Sequence, residues 1–554
     1  MEATAQDLDQ IGKQEPVAVS GGASLNQVFY SSFRNESRRD PYSFVAAGNL
    51  NLSIYGWSVP LSFTFSNQGS TFQQPFNQYS IHPAYKSVQA HIGNVSASYS
   101  PYTVNGHNFL GAAIDYEPEG KLKVSGLCGR FLRAAPYDSV SGQTPSYKRM
   151  GYGTKMQFMH GNEMVQLNLF HAADDETSLG YVPDSLELHP QENLVVSLGG
   201  STLLFSKILV KGEIASSGIT SDISSSPEKR DEPIAILKPL FTTRTTTAFF
   251  NAWRANIDYQ LQSSTVGIGY ERIEPGYKTF GSYYFNSDLE NITMNAASSI
   301  LEGTMSVTAS LGVQRDNLDG AKVSTLKRSV GSINLNYSPT EKISFAGSYS
   351  TFQTFTNIRP QFQELNQFTP YDNIDTLNFT QLSRSATLTA AYSFGLSPDK
   401  KQSLNLNASV QDASEQQGQV VGNEGTVFCN VNTTYALNLP PQGMMLSVSV
   451  NGSLNDGIES RTTSYGPVVS ILKSFLEKKL KANWSVSYLR AGSDSGTANT
   501  LITSRVGGNL NLAKGHHVNL TISAFHRSSI ERSQFEMTMM LGYSFNFSAD
   551  QNKK

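Results

Sequence analysis

Charged side chains are scarce in this chain: Asp, Glu, Lys and Arg make up 16% of its 554 residues, well below the usual quarter. Long apolar stretches are also missing, since no run approaches the roughly 18 residues that indicate a membrane-spanning helix. The net charge of −3 leaves no basic surface for nucleic acid, so we predict no nucleic-acid partner. The composition argues against both a helical membrane protein and a nucleic-acid-binding protein.

Cysteine is rare as well, with Cys128 and Cys429 far apart in the sequence. The pair lacks metal-ligand spacing, which favours two inert strand residues over a disulfide. No zinc-protease, serine-hydrolase or phosphate-loop motif is present. The acidic run at residues 174–176 is more typical of a solvated loop than of a calcium site. We therefore predict no enzymatic activity, no catalytic residue, no cofactor and no metal site.

Alternation of apolar and polar residues is abundant from about residue 42 to the end, and it indicates strands. In the last segment, one face carries Phe535, Met537, Met539, Leu541, Tyr543, Phe545 and Phe547. Such a segment of about 14 residues exceeds the usual globular strand and is long enough to cross a bilayer when tilted. Its other face is mostly polar and nearly uncharged, whereas a soluble sandwich exposes Lys and Glu. The pattern favours a lipid face opposite a polar lumen.

Connections between these segments alternate between tight and long. Residues 440–443 and 513–516 are tight turns, whereas residues 220–245 and 356–382 are long polar stretches. Short turns at one end and long loops at the other are typical of outer-membrane barrels, and a soluble β-sandwich has no reason to keep that asymmetry. We predict an all-β fold: a transmembrane antiparallel β-barrel of about 22–24 strands.

The front of the chain is less regular, so the predicted organisation leaves alternatives there. We expect a periplasmic or plug segment over residues 1–41, the barrel over 42–548 and a tail over 549–554. Residues 17–31 are a candidate for one more strand. Residues 42–86 contain a tight turn at 55–57 followed by a long stretch, which inverts the rule seen elsewhere. They either cross the membrane or form an inner hairpin.

Strand parity predicts which charges point inward. If Trp253 and Ile257 face lipid, then Arg254 and Asp258 face the lumen, and the same parity gives the predicted lumen-lining set Lys155, Lys211, Glu213, Arg254, Asp258, Arg505 and Glu536. Charges of both signs imply water inside, because a charge on the lipid face costs about 2–4 kcal/mol at the midplane. The alternative role is pairing with a plug. A predicted aromatic girdle comprises Trp484, Tyr488, Tyr543, Phe545 and Phe547.

Two stretches carry a family resemblance. The first joins residues 48–57 (GNLNLSIYGW), 74–79 (QPFNQY) and 100–112, and the second covers residues 275–286 (PGYKTFGSYYFN) and 288–293. They resemble a largely uncharacterised family of outer-membrane barrel proteins common in Bacteroidota. The chain is also distantly similar to barrel components of type nine secretion. The resemblance implies location and architecture more than activity.

Three functions are compatible with this sequence. A porin-like channel or transport protein for polar solutes explains a polar lumen, and the loop aromatics Phe72, Phe76, Tyr79, Tyr283, Tyr284 and Phe285 would suit solute contacts. A non-conducting barrel subunit of a secretion or assembly complex is the alternative, with outer-membrane or periplasmic proteins as partners. A secreted adhesin built of sandwiches is the third. Both barrel functions place the chain in the outer membrane of a Gram-negative cell, in contact with outer-membrane lipid. No signal peptide is visible, so we assume that a leader was removed.

Overall fold

Strands make up nearly all of the secondary structure in the computed structural model, which describes residues 17–33, 40–67, 78–137, 145–181, 183–228, 241–322, 327–354, 380–397, 399–417, 420–421, 426–457, 460–494, 498–529 and 533–548. The strands are β1 (Val17–Phe33), β2 (Tyr42–Ile54), β3 (Trp57–Ser66), β4 (Gln78–Ile81), β5 (Ala84–Tyr85), β6 (Val88–Ser98), β7 (Asn105–Tyr116), β8 (Leu122–Leu132), β9 (Lys148–His160), β10 (Glu163–Asp175), β11 (Glu192–Leu204), β12 (Ile208–Thr220), β13 (Thr247–Gln260), β14 (Ser264–Ile273), β15 (Leu289–Ile300), β16 (Met305–Arg315), β17 (Lys327–Thr340), β18 (Ile343–Thr354), β19 (Thr380–Ser397), β20 (Lys400–Gln417), β21 (Val420–Val421), β22 (Thr426–Leu439), β23 (Met444–Asp456), β24 (Arg461–Phe475), β25 (Leu480–Ser493), β26 (Ala498–Ala513), β27 (His516–Ser528) and β28 (Ser533–Ser548). Among these residues, no helix is long and apolar enough to cross a membrane.

The sheet closes on itself. Each strand pairs antiparallel with its neighbours in the chain, and β1 pairs with both β2 and β28. Strands β4 and β5 are two pieces of one wall strand, and β21 only extends the end of β20, so the wall has 26 strands. Closure pairs the backbone polar groups that a bilayer could not satisfy. The predicted all-β transmembrane barrel is confirmed, with two strands more than the upper end of the predicted range.

The front of the chain belongs to the wall. The candidate strand at residues 17–31 is present as β1 (Val17–Phe33), whose backbone groups close the barrel between β2 and β28, so this stretch is not part of a plug or periplasmic segment 1–41. The inner-hairpin alternative for 42–86 is also wrong, since β2 pairs with β1 and β3 in register. Residues 1–16, 34–39 and 549–554 lie outside the described residues.

A proline explains why one wall strand escaped the sequence prediction. Between β4 and β5, Pro83 has no N–H to donate to a ladder, so the strand is broken there. The His82 N–H nevertheless donates to the Pro60 carbonyl oxygen at 2.8 Å and keeps the break in the wall. Once this broken strand is counted, the tight turn at 55–57 obeys the same rule as every later hairpin.

The two ends of the barrel differ as predicted. Tight turns, such as residues 161–162 between β9 and β10, lie at one end, and longer segments, such as residues 176–191, lie at the other. The start of β1 and the end of β28 both lie at the tight-turn end, because Val17 is registered with Ile54 at the tip of the first hairpin. Short turns are periplasmic in outer-membrane barrels, so the long loops are extracellular.

The outward face is apolar across neighbouring strands. Ile257, Ile268, Met294 and Leu311 are consecutive register partners on β13 to β16, and each is at least half exposed. An exposed row of this kind, on the face opposite the polar residues, is the lipid-facing surface of a membrane barrel. The remaining parity on each strand therefore points into the lumen.

The inward face differs between two sectors of the wall. We call β6–β15 the packed sector, because 18 of the 20 buried apolar side chains that the structure describes lie between Val95 and Leu289. We call β16–β28 with β1–β3 the open sector. There Met540 is 50% exposed. Its neighbours Met539 and Leu541 face the lipid, so the exposed side chain of Met540 faces the lumen. The inner face of the packed sector therefore borders protein, whereas the inner face of the open sector is exposed at Met540.

Candidate functional site: a lumen constriction

Two extracellular connections fold inward and fill the lumen beside the packed sector. We call residues 99–104, between β6 and β7, the first lumen loop, and residues 274–288, between β14 and β15, the second lumen loop. Both contact side chains of inward parity. The Gln166 amide of β10 donates to the Tyr99 carbonyl oxygen at 2.9 Å, and the Asn193 amide oxygen of β11 accepts from the Phe280 N–H at 3.1 Å.

The two lumen loops bind each other directly. Val104 and Gly281 form a parallel bridge, and the Asn105 N–H donates to the Gly281 carbonyl oxygen at 2.9 Å. The Tyr277 hydroxyl donates to the Tyr102 carbonyl oxygen at 3.0 Å. Glycine is required at 281, because a Cβ there would lie 2.5 Å from the Thr103 carbonyl oxygen. The loops thus form one interlocked unit, which we call the constriction.

Buried polar side chains of the wall anchor the constriction. The Ser217 hydroxyl donates to the Lys278 carbonyl oxygen at 2.6 Å, and the Asn193 amide nitrogen reaches the same oxygen at 3.3 Å. Asn193 and Ser217 also hydrogen-bond each other at 2.9 Å, and both are fully buried. Since unsatisfied buried polar groups are costly, these bonds fix the position of the second lumen loop.

Apolar packing holds the same loops against the wall. One cluster joins Val104 and Phe280 of the loops to inward-facing residues of five strands, namely Val95, Phe109, Leu127, Phe131, Phe170, Ala172 and Ile219. A second cluster surrounds Tyr102 and Tyr277. In a water-filled lumen these positions would be polar. Their burial shows that this side of the lumen is a protein core.

Charged residues surround the constriction. The Arg149 guanidinium makes two hydrogen bonds to Asp174, at 2.7 and 2.9 Å, and lies 3.5 Å from the centre of the Phe280 ring. The Lys278 side chain is exposed to the lumen. The surrounding protein partly excludes bulk water and, together with Arg149, lowers the pKa of its ammonium, while Asp174 opposes that shift. Cationic groups therefore crowd one edge of the opening.

A second polar network lies on the inward face of β12–β15. Arg254 donates to Glu213 at 2.8 Å and lies 5.6 Å from the centre of the Tyr102 ring, whose hydroxyl donates to Glu271 at 2.7 Å. Burial, and next the Glu271 carboxylate, raise the pKa of Tyr102 far above its ordinary value. Burial likewise raises the pKa of Tyr277, with Glu213 adding to the effect. Both phenols therefore stay protonated donors at neutral pH.

The predicted lumen-lining residues all have inward parity in the structure: Lys155 on β9, Lys211 and Glu213 on β12, Arg254 and Asp258 on β13, Arg505 on β26 and Glu536 on β28. Only Glu213 and Arg254 are brought together, in the network beside Tyr102. Arg505 donates to Ser523 at 3.3 Å, and Glu536 accepts from Gln534. Their part in conduction stays a prediction.

The predicted girdle residues all have outward parity but lie at different heights. Tyr543, Phe545 and Phe547 lie near the periplasmic end of β28, where the Phe545 ring stacks on His516. Trp484 and Tyr488 lie inside β25, four and eight residues after its first residue Leu480. Their girdle role stays a prediction. Cys128 and Cys429 are free thiols on β8 and β22.

Sequence analysis missed the residues that build the constriction. The sequence did contain a signal for an apolar inner face, namely pairs of adjacent apolar residues within strands. One residue of each pair must point inward, as at Phe109-Leu110, Phe131-Leu132 and Leu169-Phe170. Of the aromatics expected in loops, Tyr283 stacks on His107 with ring centres 3.8 Å apart. Tyr79 instead lies on β4 with its side chain 62% exposed. Phe72 and Phe76 lie outside the described residues.

Comparison with known proteins does not assign this chain to a family. No protein-family model matches the chain, and no curated protein matches it. Among solved structures, the chain is similar to the FrpB iron transporter from Neisseria meningitidis (11% identity, TM-score 0.38, covering 98% of this chain and 84% of that one). It is also similar to OccAB4 from Acinetobacter baumannii, with 10% identity and a TM-score of 0.32 over 96% of this chain and 98% of that one. A third similar structure is OmpT, an outer membrane protein of Vibrio cholerae, with 10% identity and a TM-score of 0.28 over 64% of this chain and 98% of that one.

Similarity at this level supports no inference about function. The membrane assignment depends instead on the chain's own closed strand ladder, its lipid-facing apolar rows, and its short turns opposite long loops. The chain is therefore an integral β-barrel of the outer membrane.

Proposed function

We propose that the protein is a porin-like channel for polar solutes, with a conduction path that follows the open sector past the constriction. The observation that carries this proposal is the exposure of Met540. Its side chain faces the lumen, because residues of the other parity on β28 face the lipid, and it is half exposed there. An apolar side chain exposed on the lumen face is not packed against a plug. A barrel of this many strands is wide enough to leave an aqueous passage.

The inner surface of the open sector supports the same function. Its inward-facing hydroxyl and amide groups hydrogen-bond across neighbouring strands, as in Ser348–Thr387 at 2.6 Å and Ser447–Ser470 at 2.5 Å. Such groups favour water and polar solutes without holding any of them tightly. The constriction would limit the size of the solute, and the charges beside it would bias the charge of the solute.

Two neighbouring methionines give a matched test of this proposal. In protein whose two cysteines are replaced by serine, Met540→Cys places a thiol on the lumen face and Met539→Cys places one on the lipid face. We expect steady conductance steps in a planar bilayer from both variants. A charged, water-soluble thiol reagent should lower the conductance of Met540→Cys and leave that of Met539→Cys unchanged.

Shortening the second lumen loop tests the constriction separately. Replacing residues 276–286 by a short Gly-Ser linker should raise the single-channel conductance, because this segment fills part of the lumen. A folded, membrane-inserted protein that gives no conductance steps, before or after shortening, would sink the channel proposal. That result would favour the competing proposal of a non-conducting subunit of a secretion or assembly complex. The sequence resemblance to type nine secretion barrels of Bacteroidota belongs to that competing proposal. The absence of enzymatic activity stays a prediction.

A further inference from the structure

Two histidines meet on the inward face near the periplasmic end of the wall, where the broken strand β4–β5 pairs with β6, the first strand of the packed sector. His82 lies at the break between β4 and β5, and His91 lies on β6, three residues after its first residue. Their Nδ1 atoms are 2.6 Å apart, and the ring planes are tilted by 65°. The side chain of His91 is 21% exposed, so water in the lumen reaches the pair.

The outer nitrogen of each ring has its own partner. His91 Nε2 lies 3.0 Å from an Asp115 carboxylate oxygen, and His82 Nε2 lies 2.9 Å from the Ser80 hydroxyl oxygen. Ser80 is in turn 2.7 Å from the Ser62 hydroxyl. A carboxylate only accepts, so a neutral His91 carries its proton on Nε2 and presents a lone pair on Nδ1.

The second ring can present a lone pair to the same point. A serine hydroxyl can donate or accept and rotates to suit its partners. When Ser80 accepts from His82 Nε2–H, the Nδ1 atoms of both rings are unprotonated and face each other. Two lone pairs at that distance repel unless a proton or a metal ion lies between them. The surroundings of the pair thus allow both nitrogens to act as ligands.

This arrangement is the one that metal-binding histidines use. A ligating imidazole usually donates its other N–H to a carboxylate or a similar acceptor, which fixes the ring and raises its basicity. Imidazole pairs suit Zn²⁺, Cu²⁺ and Ni²⁺. Zinc–nitrogen bonds of about 2.0–2.1 Å place two ligands of a tetrahedral ion about 3.3 Å apart. The rings would therefore need to separate by less than about 1 Å.

We propose that His82 and His91 form a two-histidine binding site for a divalent transition-metal ion on the lumen wall. Among the described residues, no group of three or more His, Cys, Asp and Glu side chains is arranged to hold a metal ion. The two imidazoles are thus the whole set of protein ligands within the described part of the chain, and water or donor atoms of a solute complete the coordination. Asp115 and Ser80 act as positioning residues. The site is independent of whether the barrel conducts.

Metal titration of the whole chain tests the site. The protein is purified in detergent without a polyhistidine tag, stripped with a chelator, and titrated with Zn²⁺ by calorimetry. We expect one site per chain, lost in His82→Gln and in His91→Gln. His516→Gln and His517→Gln are the matched controls, because these neighbouring histidines contact Tyr543 and Asn511 instead of each other, and they should retain the site. Asp115→Asn should weaken affinity by about 10–100-fold while keeping the stoichiometry.

A spectroscopic readout on the unmodified protein guards against folding defects in the variants. With one equivalent of Cu²⁺ added, electron paramagnetic resonance should show hyperfine coupling to two imidazole nitrogens. Equal Zn²⁺ binding by the unmodified protein and the folded His82→Gln/His91→Gln double variant would overturn the proposal, as would a Cu²⁺ spectrum without nitrogen coupling. The close contact would then be a hydrogen bond alone.

Discussion

The packed and open sectors share one strand architecture but use their inward faces in opposite ways. In the packed sector, Phe170 on the inward face is fully buried against Phe131 and the lumen loops. In the open sector, Met540 on the inward face is half exposed. Outward faces are apolar in both sectors, because the lipid is the same all round the barrel. The difference therefore comes from what the described residues place inside: two interlocked loops beside the packed sector and an exposed inner face at Met540 in the open sector.

The two sectors also differ in how their inward-facing side chains are held. Buried apolar contacts and paired charges, such as Arg254 with Glu213 at 2.8 Å, concentrate in the packed sector. They hold the constriction in place against the wall. The open sector contributes hydroxyl and amide groups that exchange readily with water. We expect substitutions of the same type to act very differently in the two sectors.

The largest contrast should come from truncating inward-facing apolar side chains. Phe170→Ala should lower the free energy of unfolding by about 3–5 kcal/mol, because it leaves a cavity in a closed core. Met540→Ala should cost less than about 1 kcal/mol, because that side chain is already half exposed. Urea unfolding in lipid vesicles, followed by tryptophan fluorescence, measures both. Equal losses would break the distinction between the sectors.

Removing one inward-facing guanidinium should have the next largest effect. Arg254→Met leaves the buried Glu213 carboxylate without its partner. We expect a loss of about 2–3 kcal/mol, somewhat less than for a fully buried pair, because Arg254 itself is 38% exposed. Arg505→Met in the open sector should cost about 1 kcal/mol or less. The same urea experiment compares the two variants, and a larger loss for Arg505→Met would contradict the expectation.

Asn193 tests whether the wall holds the second lumen loop. Asn193→Ala removes the acceptor for the Phe280 N–H and two donor contacts around Lys278 and Ser217, at a cost of about 1–3 kcal/mol. Hydrogen exchange of residues 275–286 should become faster. Asn432→Ala, which removes an inward-facing amide of the open sector bonded to Asn451, should leave that segment unchanged. Unchanged exchange in Asn193→Ala would show that packing alone holds the loop.

The smallest effect should appear at the boundary between the sectors, where Asp288 ends the second lumen loop. Burial alone would raise the pKa of this carboxyl, but the N–H groups of Leu318 and Asn317 and the Lys322 ammonium together lower it. A depressed pKa adds stability above the ordinary carboxyl value of about 3.9, and that stability is lost as the pH falls through the folded-state value.

The connection of residues 316–322 should therefore stay docked at neutral pH and loosen only below about pH 4. Hydrogen exchange of this segment, corrected for the intrinsic pH dependence, measures the loosening. In Asp288→Asn the segment should exchange faster at neutral pH and lose this acid response. An acid response that persists in Asp288→Asn would assign it to another group.

Prediction of the strand faces from sequence succeeded where the inward-facing residues are polar and failed where they pack against the lumen loops. The β28 pattern from Phe535 to Phe547 gave a strand with the correct lipid face, because every inward position there except Met540 is polar or glycine. On β10, Leu169 and Phe170 are both apolar, since one faces lipid and the other faces a lumen loop. Alternation therefore loses its signal wherever protein replaces water on the inner face.

Prediction of the strands at the front of the chain failed for a different reason. On its lipid face, strand β1 mixes large apolar residues such as Leu25 and Phe29 with small ones such as Gly21 and Ala23, and β4 and β5 are interrupted by Pro83. Neither carries a local signal strong enough to establish a strand. Their place in the wall is decided by backbone closure, which requires a partner for the free edges of β2, β6 and β28.

The sequence by itself determined the membrane barrel, the inward parity of the seven predicted lumen-lining residues and the asymmetry of the two ends, because period-two patterning and turn length are local properties. Only the tertiary structure decided that the lumen loops interlock through Tyr102, Tyr277 and Gly281, and that His82 meets His91. Those contacts join residues up to about 180 positions apart, and their geometry depends on barrel closure and loop packing. No local pattern encodes such a distance, so the constriction emerges only when the barrel closes. The histidines are only nine positions apart, and they meet because the broken strand β4–β5 pairs with β6.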